Sequence, residues 1–190
     1  MAAPAIAYAP FALPAGTALH RVQRIRPGAG TVTIGPVRLP PTGSLFGRFD
    51  LPRHPCAAFA LSPLTAVYET QARRDAAAVS MTLLAQRELL SVVTTAALTL
   101  ADLRPHTANW PLLIAARYGP TQALADDAFG KGHAGVVYLS AQQHLGECVA
   151  LFDAAIAAVQ PTAQQPLSQG GRLHRLVARA LVGTMLPLVP

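Results

Sequence analysis

Apolar and polar positions change rhythm several times along the chain. Residues 18–25 read as a strand and 55–61 as a second one built from small residues. Between them, 26–47 mixes Gly, Pro and Thr around one short β-branched run at 31–34, the composition of a loop-rich excursion. Ser62-Pro63 supplies an N-cap and a proline preset for the first turn, which predicts a helix over 63–78 with Leu64, Val67 and Gln71 on one stripe. Residues 88–100 are rich in Leu, Val and Thr without helical spacing and predict a long strand broken near Ala96-Ala97. Two short helices follow, 110–118 stopped by Gly119-Pro120 and 121–129 capped by Thr121 and ended by Gly130, and then a short buried strand over 134–140.

Leu145, Val149, Phe152, Ile156 and Val159 recur at helical spacing and predict an amphipathic core helix stopped by Pro161. A Gln/Pro/Gly/Ser linker leads to a last helix striped by Leu173, Leu176, Val177, Ala180 and Leu181. Strands interspersed irregularly with helices predict a single α+β domain of mixed twisted sheets with flanking helices. Its expected parts are an extended Ala/Pro-rich arm over 1–17, a main domain over 18–160, a linker over 161–171 and a C-terminal helix over 172–190 packed on the same domain.

At 190 residues, 52% hydrophobic and 13% charged, the chain lies outside the disordered, collagenous and disulfide-rich classes. Its net charge of +6 is carried almost wholly by arginine, Lys131 being the sole lysine, which suits forked contacts to phosphate or carboxylate and equally suits an Ala/Pro-rich composition. Cys56 and Cys148 are far apart and match no ligand or redox spacing, so free thiols in a reducing cytoplasm are expected. The apolar N-terminus lacks a cationic leader and is broken by Pro4, Pro10 and Pro14. The longest uncharged apolar run, 89–101, is shorter than the ~18 residues of a membrane helix, so no membrane association is expected.

Nucleophile elbows, zinc-protease motifs, Walker loops and dinucleotide fingerprints are missing, and the six histidines show no ligand spacing, so no metal or prosthetic group is expected. Three polar residues in apolar or turn-forming surroundings stand out. Arg48 lies between aromatics in Phe46-Gly47-Arg48-Phe49-Asp50, where it can meet an anion at a backbone bend or pair with Asp50. Glu69 follows Tyr68 on the predicted helix, where it can face a ligand or pair with Arg73 one turn on. Ser140 ends a buried strand, facing a cleft or capping a turn.

In order along the chain, His20-Arg21-Val22, Gly47-Arg48-Phe49-Asp50, Ala60-Leu61-Ser62-Pro63 with Thr65-Ala66 and Glu69, Ala116-Arg117-Tyr118 with Thr121-Gln122, Gly135-Val136-Val137-Tyr138-Leu139-Ser140 and finally 148–152 resemble the RES-domain family from Arg21 to about Asp153. The resemblance implies a fold similar to ADP-ribosyltransferases and the activity of a cytoplasmic toxin that degrades NAD. Its partner would be an antitoxin with a helix-turn-helix domain covering the active site. The resemblance places Arg48 or Arg21 as the family's arginine, Glu69 as its glutamate and Ser140 as its serine, with Arg21, Arg48, Phe49, Phe59 and Tyr68 as the NAD-binding set. On this reading the arginines take the pyrophosphate, Glu69 the nicotinamide ribose and Ser140 the ribose or amide. Phosphate, water or a protein side chain is the acceptor, which makes the protein an NAD phosphorylase, a glycohydrolase or an ADP-ribosyltransferase. Two positions depart from the pattern: Ala58 stands where members generally carry an aromatic, and Ala134 where they often carry Asp. A non-catalytic basic module using Arg172, Arg175 and Arg179 is the alternative. It lacks interleaved aromatics or a nucleic-acid motif, so direct nucleic-acid binding is not expected, while a homodimer is open.

Overall fold

In the computed structural model, which describes residues 7–107, 113 and 118–190, the apolar runs assemble into one eight-stranded mixed sheet. Its strands are β1 (Ala9–Leu13), β2 (Ala18–Arg24), β5 (Cys56–Ala60), β7 (Arg87–Thr94), β8 (Leu98–Asp102), β9 (Gly135–Leu139), β10 (Glu147–Phe152) and β11 (Val159–Pro166), in the order β1-β8-β9-β10-β5-β2-β7-β11. Only β8 and β9 run parallel; the other neighbours are antiparallel. A hairpin of β3 (Val32–Ile34) and β4 (Val37–Leu39), a second of β12 (Ser168–Gln169) and β13 (Arg172–Leu173), and a parallel pair of β6 (Val79–Ser80) and β14 (Leu188–Val189) lie outside it. The helices are α1 (Pro63–Thr70), α2 (Met81–Ala85), α3 (Gly119–Gly130) and α4 (Arg175–Thr184).

Both faces of the sheet are covered. Ala66 and Val67 of α1, Leu124, Ala125 and Ala128 of α3, and Val177 and Ala180 of α4 pack on one face with Tyr138 and Phe152. Val37 and Leu39 of β4 and Ile156 pack on the other with Leu90, Leu100 and Leu151. Double coverage explains a difference from the sequence expectation at 147–152. Cys148, Val149, Ala150, Leu151 and Phe152 are all buried, and such a continuous apolar run fits a central strand as well as a core helix. The chain there is β10, followed by 3-10 turns over Asp153–Ala158, and Leu145, expected on the helix stripe, is 71% exposed. Only glycine can occupy position 135 between the strands, because a Cβ there would collide with the Ala150 carbonyl.

Other boundaries moved as well. The helix expected over 63–78 ends at Thr70: past Ala72 no apolar stripe continues, and Arg73 turns onto Asp75 through two hydrogen bonds of 2.9 Å. The expected linker is largely sheet, since 161–166 continue β11 along β7, with a register shift between Pro161 and Ala163 on an edge that tolerates proline. Within the expected arm, Ala9–Leu13 pairs with β8 as the opposite edge strand. The helix expected over 110–118 lies mostly outside the described residues. Among those described, no helix is long and apolar enough to cross a membrane.

Candidate active site

The site begins as an interruption of the sheet. β2 and β5 share one rung, His20 opposite Ala60, and then part. Arg21 bridges the gap, its Nη1 donating to the Ala58 carbonyl at 3.0 Å and its Nη2 to the Arg38 carbonyl at 3.2 Å, with the guanidinium 5.8 Å from the Phe59 ring centre. Its Nε is buried without a partner. Burial pulls the Arg21 pKa down to about 10, Cys56, Asp50 and Tyr138 offsetting part of the fall, so the guanidinium is still charged at neutral pH. A cavity of about 110 Å³ fills the opening, lined among others by His20, Arg21, Phe59, Glu69, Thr70 and Tyr138. That is the scale of one ring, since an apolar cavity of roughly 150 Å³ accepts benzene.

Glu69 reaches this cavity from the last turn of α1, which Ser62 caps through the Thr65 amide and Pro63 starts. Its Oε1 accepts two hydrogen bonds, from the Ser140 hydroxyl at 2.5 Å and the Ala141 amide at 3.1 Å. Its Oε2 has only the Arg48 Nη2 at 3.5 Å. Ser140, directly after β9, accepts in turn from the Gln142 and Gln143 amides at 3.1 and 2.9 Å, which aims its proton at Glu69. The loop carrying these amides is fastened to α1 and the segment after it: Thr65 Oγ1 donates to Gln143 Oε1 at 2.6 Å, and the Arg74 amide to Gln142 Oε1 at 2.7 Å.

Arg48 sits behind the carboxylate. Its turn is closed by the Gly47 amide donating to Asp50 Oδ2 at 2.7 Å, and a Cβ at Gly47 would strike that same carboxylate. The Arg48 carbonyl accepts from Thr121 Oγ1, while its guanidinium donates to the Leu113 carbonyl at 3.2 Å and lies 5.4 Å from the Tyr138 ring centre. The side chain is 9% exposed and its Nε has no partner.

Of the residues singled out from sequence, Arg21, Phe59 and Glu69 line the cavity. Arg48 and Ser140 touch Glu69 from behind and do not line it. Phe49 is buried against Tyr138, ring centres 4.4 Å apart. Tyr68, about 100° round the helix from Glu69, turns to α4, where its hydroxyl lies against Gly183 in space that a Cβ would otherwise take. The pairing of Glu69 with Arg73 does not form, because Arg73 is held by Asp75 and Tyr118. Ala58 leaves an exposed methyl at the cavity wall where the resemblance leads one to expect a ring.

The sequence reading missed His20 and Tyr138. On a strand, neighbours His20 and Arg21 should face opposite ways, yet the opening beside β2 admits both to one cavity. His20 Nδ1 lies 2.8 Å from Ser91 Oγ, and burial holds its pKa below the ordinary value, which keeps the ring neutral at pH 7. Tyr138 read only as strand core. Its alternation with Val137 was the available signal. Among the described residues no group of His, Cys, Asp and Glu is arranged to hold a metal.

Comparison with known proteins adds two findings. The RES domain family model matches residues 19–174. A chain in the crystal structure of the M. tuberculosis MbcT–MbcA toxin–antitoxin complex superposes with a TM-score of 0.62 at 16% identity, covering 83% of this chain and 87% of that one, a likeness of fold. No curated protein matches.

Proposed function

The chain belongs to the RES-domain family, and from that premise we propose that it is the toxin of a toxin–antitoxin pair and acts by breaking the bond between nicotinamide and ribose in NAD. The observation that carries this reading is the meeting of a carboxylate and a guanidinium on one ring-sized cavity, Glu69 from α1 and Arg21 from β2. Cleavage of that bond passes through an oxocarbenium-like ribose, and a fixed carboxylate stabilises it most at the transition state.

Each neighbour of Glu69 has a part in this. Ser140 and the Ala141 amide occupy Oε1, so Oε2, held only by Arg48 at 3.5 Å, is the oxygen that takes the ribose hydroxyls and faces the developing positive charge. Arg48 orients the carboxylate from behind; it and Ser140 are positioning residues that act through Glu69. Arg21, with its unpartnered Nε, takes the pyrophosphate by charge-assisted hydrogen bonds. Phe59 and Tyr138 supply ring surface, and a neutral His20 does not repel cationic nicotinamide. Nicotinamide departs with the bonding electron pair and becomes neutral, so no general acid is required. Attack by phosphate gives ADP-ribose phosphate, and attack by water gives ADP-ribose and a proton. The cavity holds one ring, so the rest of NAD lies across its mouth beside Ala58. That mouth is where an antitoxin bearing a helix-turn-helix domain would cover the site, in the cytoplasm.

Incubation of the purified chain with NAD, with and without phosphate, followed by product identification, tests the proposal. Nicotinamide release is expected, with ADP-ribose phosphate dominating when phosphate is present. Glu69→Gln is expected to fold normally and lose about 10²- to 10³-fold in turnover. A near-wild-type rate in that variant, or NAD left intact by the wild type, would reject it.

A further inference from the structure

At the far end of β2 the structure holds a second concentration of positive charge that the site above does not use. In the antiparallel pairing of β2 with β7, Arg24 stands directly opposite Arg87. Like charges on one rung of a ladder are destabilising, and here each is left unneutralised. Glu88, the nearest carboxylate in sequence, is engaged by Arg38 at 2.7 Å and Gln23 at 2.9 Å. Among the described residues no acidic side chain forms an ion pair with Arg24, Arg26 or Arg87. Burial depresses the Arg87 pKa, and Arg24 depresses it further.

Arg24 borders a hollow, and Arg87 stands across the β2–β7 rung from it. Arg24, Arg26, Gly28 and Gln86 line a cavity of about 580 Å³, with Ile25, Pro27 and Ala85 completing its wall. Arg24 lies along the turn at Gly28, where a Cβ would come within 2.9 Å of its Nη1, so glycine there makes room for the guanidinium. No residue lines both this hollow and the Glu69 cavity.

We propose that the hollow lined by Arg24 and Arg26, with Arg87 across the rung from Arg24, is a second anion site that takes a small ligand carrying adjacent phosphates, of the pyrophosphate or nucleoside polyphosphate class. Two guanidinium forks across one rung match two neighbouring phosphate groups, and an anion between them converts the repulsion of the rung into two attractions. A concave seat of this size suits a compact polyphosphate rather than the long track of a nucleic-acid backbone. The site stands independently of the NAD reading, since it shares no residue with that cavity.

Calorimetric titration of the full-length chain with inorganic pyrophosphate at low ionic strength tests this. Binding is expected to persist in Arg21→Gln, which removes the cation assigned to the NAD pyrophosphate, and to weaken about tenfold or more in Arg87→Gln and in the exposed Arg26→Gln. Without anion, Arg87→Gln is expected to melt above the wild type, and with pyrophosphate this order reverses. Absence of binding, equal binding by the variants, or an Arg87→Gln protein that melts lower without anion would overturn the site. Preferential binding of a short DNA duplex that pyrophosphate does not displace would overturn the small-anion assignment, and a parallel rise in KM for NAD in Arg87→Gln would overturn its independence.

Discussion

Two arginine–carboxylate clusters lie at either end of the loop between β9 and β10, and they are built to opposite standards. At one, Arg104 spends its whole fork: Nε and Nη2 donate to the two oxygens of Asp102 at 2.9 and 2.7 Å, Nη1 to Glu147 at 2.6 Å, and its guanidinium sits 4.4 Å from the Phe11 ring centre. At the other, Arg48 offers Glu69 one contact of 3.5 Å and leaves its Nε unpartnered. In the first cluster every guanidinium nitrogen is paired with a carboxylate. The second holds one carboxylate oxygen by that single long contact and leaves a buried donor without a partner, next to a cavity. Incomplete pairing in a buried place costs free energy, and a group that bears this cost is where function is sought.

Four changes sharpen that contrast or break it. The largest effect is expected for Arg48→Gln, which removes the cation behind Glu69. NAD turnover should fall about 10²-fold through kcat with little change in KM, and Arg48→Lys should recover part of the loss. An Arg48→Gln enzyme at full rate would make this pair as structural as the other. Next, Ser140→Ala should cost roughly tenfold in kcat, the value of one hydrogen bond to a charged group, again with KM preserved.

Arg104→Ala, by contrast, should leave NAD turnover untouched and lower stability by about 1 kcal/mol, a modest sum for a partly exposed pair. Denaturant unfolding measures it, and lost activity without lost stability would undo the comparison. The smallest effect is in pH. Burial raises the Asp102 pKa, but the hydrogen bonds and charge of Arg104 outweigh it and hold the carboxyl below the ordinary range. A depressed native pKa stabilises above the unfolded value and is lost as pH falls through the native one. Wild-type stability should therefore decline below about pH 4 more steeply than that of Asp102→Asn.

How much of this was legible beforehand depends on the kind of signal. β2, β5 and the break between β7 and β8 follow from alternation and turn residues, and the cap of α1 from Ser62-Pro63. β10 carries a helical apolar spacing in the sequence yet is a strand, since a strand buried on both faces lacks the alternation that identifies it. β11 has the composition of a linker, because its polar edge residues gain order only by pairing with β7. Arg48, Glu69 and Ser140 were legible as candidates. Their division of labour was not, because which oxygen of Glu69 is occupied depends on a loop more than 70 positions away.

The sequence alone determined the positive charge, the element types wherever their periodicity was clean, and the identities of the polar residues set among apolar ones, because these are properties of neighbours along the chain. Tertiary structure decided which of those residues share a cavity. A single rung between β2 and β5 opens the sheet, and Arg21, His20, Phe59 and Glu69 converge there. It also set Arg24 against Arg87, two ordinary arginines until β2 and β7 come into register. Strand register and strand divergence are fixed by long-range packing, and no local pattern encodes them.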